Sequence, residues 1–141
     1  MPKKKILVID DEKNLCFLLK SNLENIGEYV VDVAYSGEEG LTKAKETEYD
    51  LVITDFRMPG LNGRDVLNTL KDMRPNSPVV LCSVYHDDIS TITALDIAKA
   101  DGLITKPFDS KQLHNTIKEI LADSHRMSKA KIKKEARDGK K

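Results

Sequence analysis

Short apolar runs alternate with stripes of apolar residues at helical spacing along this chain. Ile6-Leu-Val-Ile9 is the first run. The stripe that follows, at Leu15, Leu18, Leu19, Leu23 and Ile26, predicts a helix over 12–26 that Gly27 stops. Tyr29–Val33 predicts a second strand, and Ser36-Gly-Glu-Glu39 has the form of a capping box. That box would open a second helix with Leu41 and Ala44 on its apolar face. Leu51–Thr54 is wholly apolar or β-branched, the composition of a strand buried on both faces. Pro59-Gly60 then turns the chain, and Val66, Leu67 and Leu70 predict a helix over 63–73. Beyond the Pro75–Pro78 loop, Val79–Ser83 predicts a fourth strand. A helix over about 88–99 leads to a fifth strand at Leu103. Asp109-Ser-Lys-Gln112 resembles another capping box, ahead of Leu113, Ile117, Ile120 and Leu121. Such regular alternation implies an α/β fold, a parallel sheet with helices on both faces.

Three of the apolar runs end in residues that carry chemistry. The first delivers Asp10 and Asp11, the third delivers Asp55, and the fifth delivers Lys106 followed by Pro107. On parallel strands of one sheet these groups converge at the carboxyl edge, where open α/β sheets place their ligands. Two adjacent acids with a third nearby describe an oxygen-ligand pocket for a hard cation such as Mg²⁺, and a lysine suits a phosphoryl oxygen. Taken singly, each residue has a plainer role. Asp11 could be a helix N-cap, Asp55 a strand terminator, Ser83 a strand-end hydroxyl and Lys106 a surface lysine.

The set Asp10-Asp11, Asp55 with Met58-Pro59-Gly60 and Gly63, Ser83, and Lys106-Pro107-Phe108 resembles the receiver domain of bacterial two-component response regulators. The resemblance runs from about Lys4 to about Leu121. It implies a flavodoxin-like/CheY-like doubly wound sheet of five parallel strands in the order 2-1-3-4-5, with five helices. It also implies a phosphoprotein. Asp55 takes a phosphoryl group from a histidine on a sensor histidine kinase or histidine phosphotransfer protein, in a Mg²⁺-dependent reaction. Asp11 and Asp55 ligate the ion directly, Asp10 holds it through water, and the Arg57 backbone carbonyl completes the protein's share. Ser83 and Lys106 contact the phosphoryl oxygens, and the Lys106–Pro107 bond is cis. Arg57 and Tyr85 flank the path of the water that removes the phosphoryl group. The product is a changed surface, so such a chain assists its own phosphorylation and dephosphorylation without being a conventional enzyme. Leu103 departs from the family, which usually carries Tyr or Phe three residues before the lysine. That departure leaves an alternative, a receiver-like scaffold for protein–protein interaction that works without phosphorylation.

Composition narrows the partners. The 141 residues suit one domain with a single sizeable core. Lys and Arg balance Asp and Glu at 23 each, yet unevenly along the chain. Residues 124–141 hold eight Lys/Arg against Glu135 and Asp138, a net of +6, which leaves 15 basic and 21 acidic residues, a net of −6, in the remainder. The expected division is therefore a receiver domain over 1–123 and a basic tail or linker over 124–141. The tail lacks aromatic residues for stacking on bases, which argues against a nucleic-acid arm. No apolar run approaches the ~20 residues that span a bilayer, and no signal peptide is recognisable, so a cytoplasmic location is expected. Cys16 and Cys82 fall in apolar stretches with no metal-like spacing and read as reduced core thiols. His86, His114 and His125 form no metal or kinase pattern. No glycine-rich nucleotide loop is present. Arg57 stands where a haloacid-dehalogenase-type phosphatase would need a second acid.

Overall fold

A computed structural model of the chain describes residues 2–84, 92–107 and 109–122. The apolar runs form β1 (Lys4–Ile9), β2 (Tyr29–Ala34), β3 (Leu51–Asp55), β4 (Val79–Val84) and β5 (Gly102–Lys106). All pair in parallel, in the order β2-β1-β3-β4-β5. The helices are α1 (Lys13–Asn25), α2 (Gly37–Glu46), α3 (Gly63–Met73), α4 (Ala94–Lys99) and α5 over 110–122. The α/β architecture and the 2-1-3-4-5 order are those implied by the resemblance.

The strand composition follows from burial on both faces. Ile6 and Val8 of β1 point into one layer with Leu19 and Leu23 of α1 and Leu113 and Ile117 of α5. Leu7 and Ile9 point into the opposite layer with Leu41 of α2 and Val66, Leu67 and Leu70 of α3. A strand between two such layers has no solvent face on which to alternate polar residues, hence the unbroken runs. Each fully buried Leu or Ile contributes about 2 kcal/mol relative to exposure, so the two layers together fix the register. Ile9 lies opposite Thr54, Asp55 opposite Cys82, and Val84 opposite Lys106. The next residue after Ile9 is Asp10, which the register brings level with Asp55 at the carboxyl edge.

Two expectations need correction. Leu18 belongs to the stripe that predicts α1, but it faces solvent at 51% exposure while Cys16 takes a place in the core. On a helix whose inward face is already set by Leu19 and Leu23, Cys16 falls on that face and Leu18 beyond its edge. The fourth helix was expected over about 88–99, whereas the described helix begins at Ala94 and Ile92 and Thr93 are not helical. A reciprocal cap sets this start. The Thr93 hydroxyl accepts from the Asp96 N–H at 3.2 Å, and the Asp96 carboxylate accepts from the Thr93 N–H at 3.0 Å. Residues 85–91, including the rest of the expected helix, lie outside the described residues.

Asp96 has a second task. Arg64, in the first turn of α3, donates Nε and Nη2 to its carboxylate at 2.9 and 2.8 Å. The Arg64 guanidinium carbon also lies 5.5 Å from the centre of the Phe56 ring. Asp96 is buried while the Arg64 side chain reaches solvent, so this fork ties α4 to α3 at the edge of the core. The Arg64 hydrogen bonds, with those from Thr93, outweigh burial and hold the Asp96 carboxyl at about 2, below its ordinary 3.8.

A carboxylate depressed in the folded state adds stability above its unfolded value, and that stability is lost as pH falls through about 3.8 toward 2. We expect Asp96→Asn to lower Tm at pH 7 and to speed amide exchange in α4. The Tm gap should narrow when the melts are repeated near pH 3. A gap that stays constant between the two pH values would show that the Arg64 charge contributes nothing there.

Candidate functional site

The acids and the lysine meet where β1, β3 and β5 end. Asp10 is buried and held from two sides. Its Oδ1 accepts from the Glu12 N–H at 2.9 Å, and its Oδ2 accepts from Lys106 Nζ at 3.0 Å. The same ammonium lies 3.3 Å from Asp55 Oδ1. Lys106 thus reaches from β5 across the end of β4 to the acids of β3 and β1. Asp11 is exposed, yet one carboxylate oxygen from each of Asp10, Asp11 and Asp55 falls within 4.8 Å of the others. A cavity of about 430 Å³ opens onto this cluster, lined by Asp11, Glu12, Asp55, Arg57, Pro59 and Lys106, among others.

Charge dominates this site. Burial, then the neighbouring Asp10 charge, raises the Asp55 carboxyl to about 6, although Lys106 pulls the other way. Burial also raises Asp10, against the opposing Glu12 N–H and Lys106. The lysine shows the converse. Burial pulls it down, but its hydrogen bond to Asp10 and the charges of Asp55 and Asp10 prevail and hold it above the usual ammonium range. Two like charges ~4 Å apart repel by up to ~4 kcal/mol at an effective dielectric of about 20. One ammonium cannot balance three such carboxylates. The excess negative charge and an all-oxygen donor set fit a hard divalent cation such as Mg²⁺, not a thiolate- or imidazole-preferring metal.

Support for these groups comes from neighbours that leave little trace in a sequence. The Cys16 thiol donates to the Asp10 carbonyl at 3.3 Å, and burial followed by the Asp10 charge pushes it up to about 11. It stays a thiol and braces the strand end. The Thr54 hydroxyl donates to the Asp55 carbonyl at 3.0 Å. Cys82, opposite Asp55, accepts the Phe56 N–H through its carbonyl at 2.8 Å. Both cysteines are buried and reduced, with no disulfide between them, as their apolar surroundings imply.

Other site expectations fare unevenly. The Lys106–Pro107 bond is cis. Ser83 is buried at the end of β4, opposite Thr105, but Val84 lines the cavity there and Ser83 does not. Arg57 is exposed at the cavity wall, whereas Tyr85 and Phe108 lie outside the described residues, as do His86 and His125. His114 packs edge-on against Tyr29, away from the acid cluster. Leu103 is 42% exposed on β5 and lines a separate groove of about 470 Å³ with Thr116 and Glu119 of α5.

Comparison with known proteins agrees with this geometry. The response regulator receiver domain family matches residues 6–118. The alkaline phosphatase synthesis transcriptional regulatory protein PhoP of Bacillus subtilis is 36% identical over 121 residues, 86% of this chain and 50% of that protein. Response regulator ArlR of Staphylococcus haemolyticus is 34% identical over 116 residues, 82% of this chain and 52% of that one. The chain therefore spans about half the length of the curated relatives it matches. Among solved structures, a response regulator receiver domain protein from Clostridium thermocellum superposes with a TM-score of 0.80 at 32% identity, covering 88% of this chain and 98% of that one. The response regulator TrrA of Thermotoga maritima, solved with Mg²⁺ and BeF, gives 0.75 at 36% identity, covering 83% and 98%.

The raised Asp55 value makes a test of the charge balance. A group raised in the folded state contributes stability that is fully present below its unfolded value of 3.8 and lost as pH rises through about 6. A shift of that size corresponds to about 3 kcal/mol. In EDTA, Asp55→Asn should melt above the wild type at pH 8, and the two curves should converge near pH 4. A variant that melts below the wild type at pH 8 would mean that the Lys106 pairing outweighs burial and repulsion.

Proposed function

The chain belongs to the response regulator receiver domain family, and we propose that Asp55 is the carboxylate through which it accepts a phosphoryl group. As a receiver it is a phosphoacceptor in two-component signalling. The observation that supports Asp55 is the Lys106 ammonium, 3.0 Å from Asp10 and 3.3 Å from Asp55, beside the cluster of acids. Asp55 is a member of that cluster, and it borders the cavity from which a donor would approach.

In this reading an Asp55 carboxylate oxygen attacks phosphorus and forms an acyl phosphate. The P–N bond to the donor histidine breaks, and its electron pair leaves with the imidazole. A carboxylate is a weak nucleophile, so the chain contributes position and charge. Lys106 neutralises one oxygen of the transferring group, and the Ser83 hydroxyl donates to another once the group is attached. Asp11, Asp55 and the Arg57 carbonyl would hold Mg²⁺ directly, with Asp10 behind a water. Bound Mg²⁺ would supply further neutralisation of the phosphoryl oxygens. The positive Lys106 is already in place before a donor arrives, so it needs no rearrangement to act.

The donor is a sensor histidine kinase or a histidine phosphotransfer protein. The chain promotes its own phosphorylation and dephosphorylation and turns over no separate substrate. Its output is a surface presented to a further partner or domain. The receiver occupies 1–123, and 124–141 serves as a basic tail or linker. No described helix is long and apolar enough to cross a membrane, and we place the protein in the cytoplasm, where the donor histidine would be.

Acetyl phosphate with Mg²⁺ should add one phosphate, read by intact-mass spectrometry, and Asp55→Asn should abolish it. EDTA should block labelling of the wild type. Lys106→Ala should keep the acceptor but slow labelling by about 100-fold, as when one oxyanion donor is removed. An undiminished adduct in Asp55→Asn would move the acceptor elsewhere.

A further inference from the structure

The segment from Arg57 to Asn62 joins the acid cavity to a helix that contributes nothing to the cavity wall. Arg57, Met58 and Pro59 line the cavity, and no residue of α2 does. Yet α2 touches the next residues of the loop at backbone distance. Gly37, the first residue of α2, is buried. A Cβ placed on it would lie 2.7 Å from the Leu61 carbonyl oxygen and 2.8 Å from the Leu61 Cβ. One residue on, the Glu38 carboxylate accepts the Leu61 N–H at 3.2 Å. Gly60 has φ of 75°, and a Cβ there would stand 2.8 Å from the same Glu38 oxygen. Two glycines and one hydrogen bond therefore press residues 60–61 onto the first turn of α2.

Both ends of this contact are anchored. Gly40 lies so close to Ile9 that an added Cβ would come 2.3 Å from the Ile9 Cδ1, so α2 rests on β1 one residue before Asp10. On the other side, the Gly63 N–H donates to the Phe56 carbonyl at 2.8 Å and closes the loop on itself. Buried Met58 leaves little slack between these ties. The first turn of α2 thus spans the two strand ends, touching β1 behind Asp10 and the loop beyond Arg57.

We infer that the first turn of α2, through Gly37 and Glu38, positions the Arg57 carbonyl against the acids and so sets the affinity of the site for Mg²⁺. This rests on the proposed metal site. Glu38 is a positioning residue, since it lines no part of the cavity. Coupling of this kind is reciprocal. Mg²⁺ binding should then steady the α2–loop contact as much as the contact steadies the metal ligand.

The test titrates Mg²⁺ alone into the full chain by calorimetry, with hydrogen exchange as the second readout. Gly37→Ala pushes the Leu61 backbone away and should weaken Mg²⁺ by about tenfold, the lower range for lost support of a metal ligand. Glu38→Ala should weaken it less, and Glu38→Gln, which keeps the accepting oxygen, should restore wild-type affinity. In the wild type, Mg²⁺ should slow exchange of the Leu61 amide and of the amides in the first turn of α2. Gly102→Ala is the control. Its Cβ would crowd the Ile120 Cδ1 at 2.8 Å, at the opposite end of β5 from Lys106, and should leave Mg²⁺ affinity unchanged. If Gly37→Ala fails to fold, the Glu38 pair and the wild-type exchange data decide the matter. Normal Mg²⁺ affinity in Gly37→Ala and Glu38→Ala, or an equal loss in Gly102→Ala, would reduce the contact to packing and overturn this inference alone. A wild type that binds no Mg²⁺ would overturn the metal site with it.

Discussion

Everything at the carboxyl edge depends on one ammonium group held among carboxylates. Asp10 and Asp55 lie at the ends of neighbouring strands, both buried, and burial raises each carboxyl above its ordinary value. Without Lys106 their repulsion would act directly against the pairing of β1 with β3. With it, the edge is tolerable but still short of positive charge. That residual deficit is what makes the site receptive to a cation and to a group whose transfer needs charge neutralised.

The scaffold below the edge is correspondingly over-determined. Both faces of the central strands are sealed by helices, and the register places Asp10, Asp55 and Lys106 without help from flexible loops. On the side of β4 and β5 the ties are polar and local. There α4 is short, its start is fixed by the Thr93–Asp96 cap, and its attachment to α3 runs through Arg64. Leu103 stands half out of the fold at the neighbouring strand. In this chain the link between β3 and α4 is polar, from Phe56 through Arg64 to Asp96.

Much of this was legible in the sequence because burial writes itself into composition. Strands buried on both faces must be continuous apolar runs, and Leu51–Thr54 could hardly be anything else. The acids and the lysine were legible because each terminates such a run, so strand order alone brings them together. Legibility failed where the deciding contact is local or involves backbone. Leu18 fits the helical stripe but lies past its edge, since small Cys16 fills the inward position. The start of α4 turns on a reciprocal cap at Thr93, which the apolar spacing before it obscured. The relation of Ser83 to the cavity depends on which way a strand end faces. Glu38 carries no periodic signal, and only the paired glycines at 37 and 60 hint at a close approach.

The pairing of Asp55 with Cys82 and of Val84 with Lys106 works as an address system written in whole residues. A strand moves only in steps of one residue, and each step turns every side chain to the opposite face. Chain length is therefore forgiving in some places and unforgiving in others. An insertion in the Pro75–Pro78 loop would leave every address intact. One extra residue inside β3 would deliver Asp55 to the wrong layer while barely changing the composition of the core. The strands of this protein are free to vary in which apolar residue they carry, but not in how many.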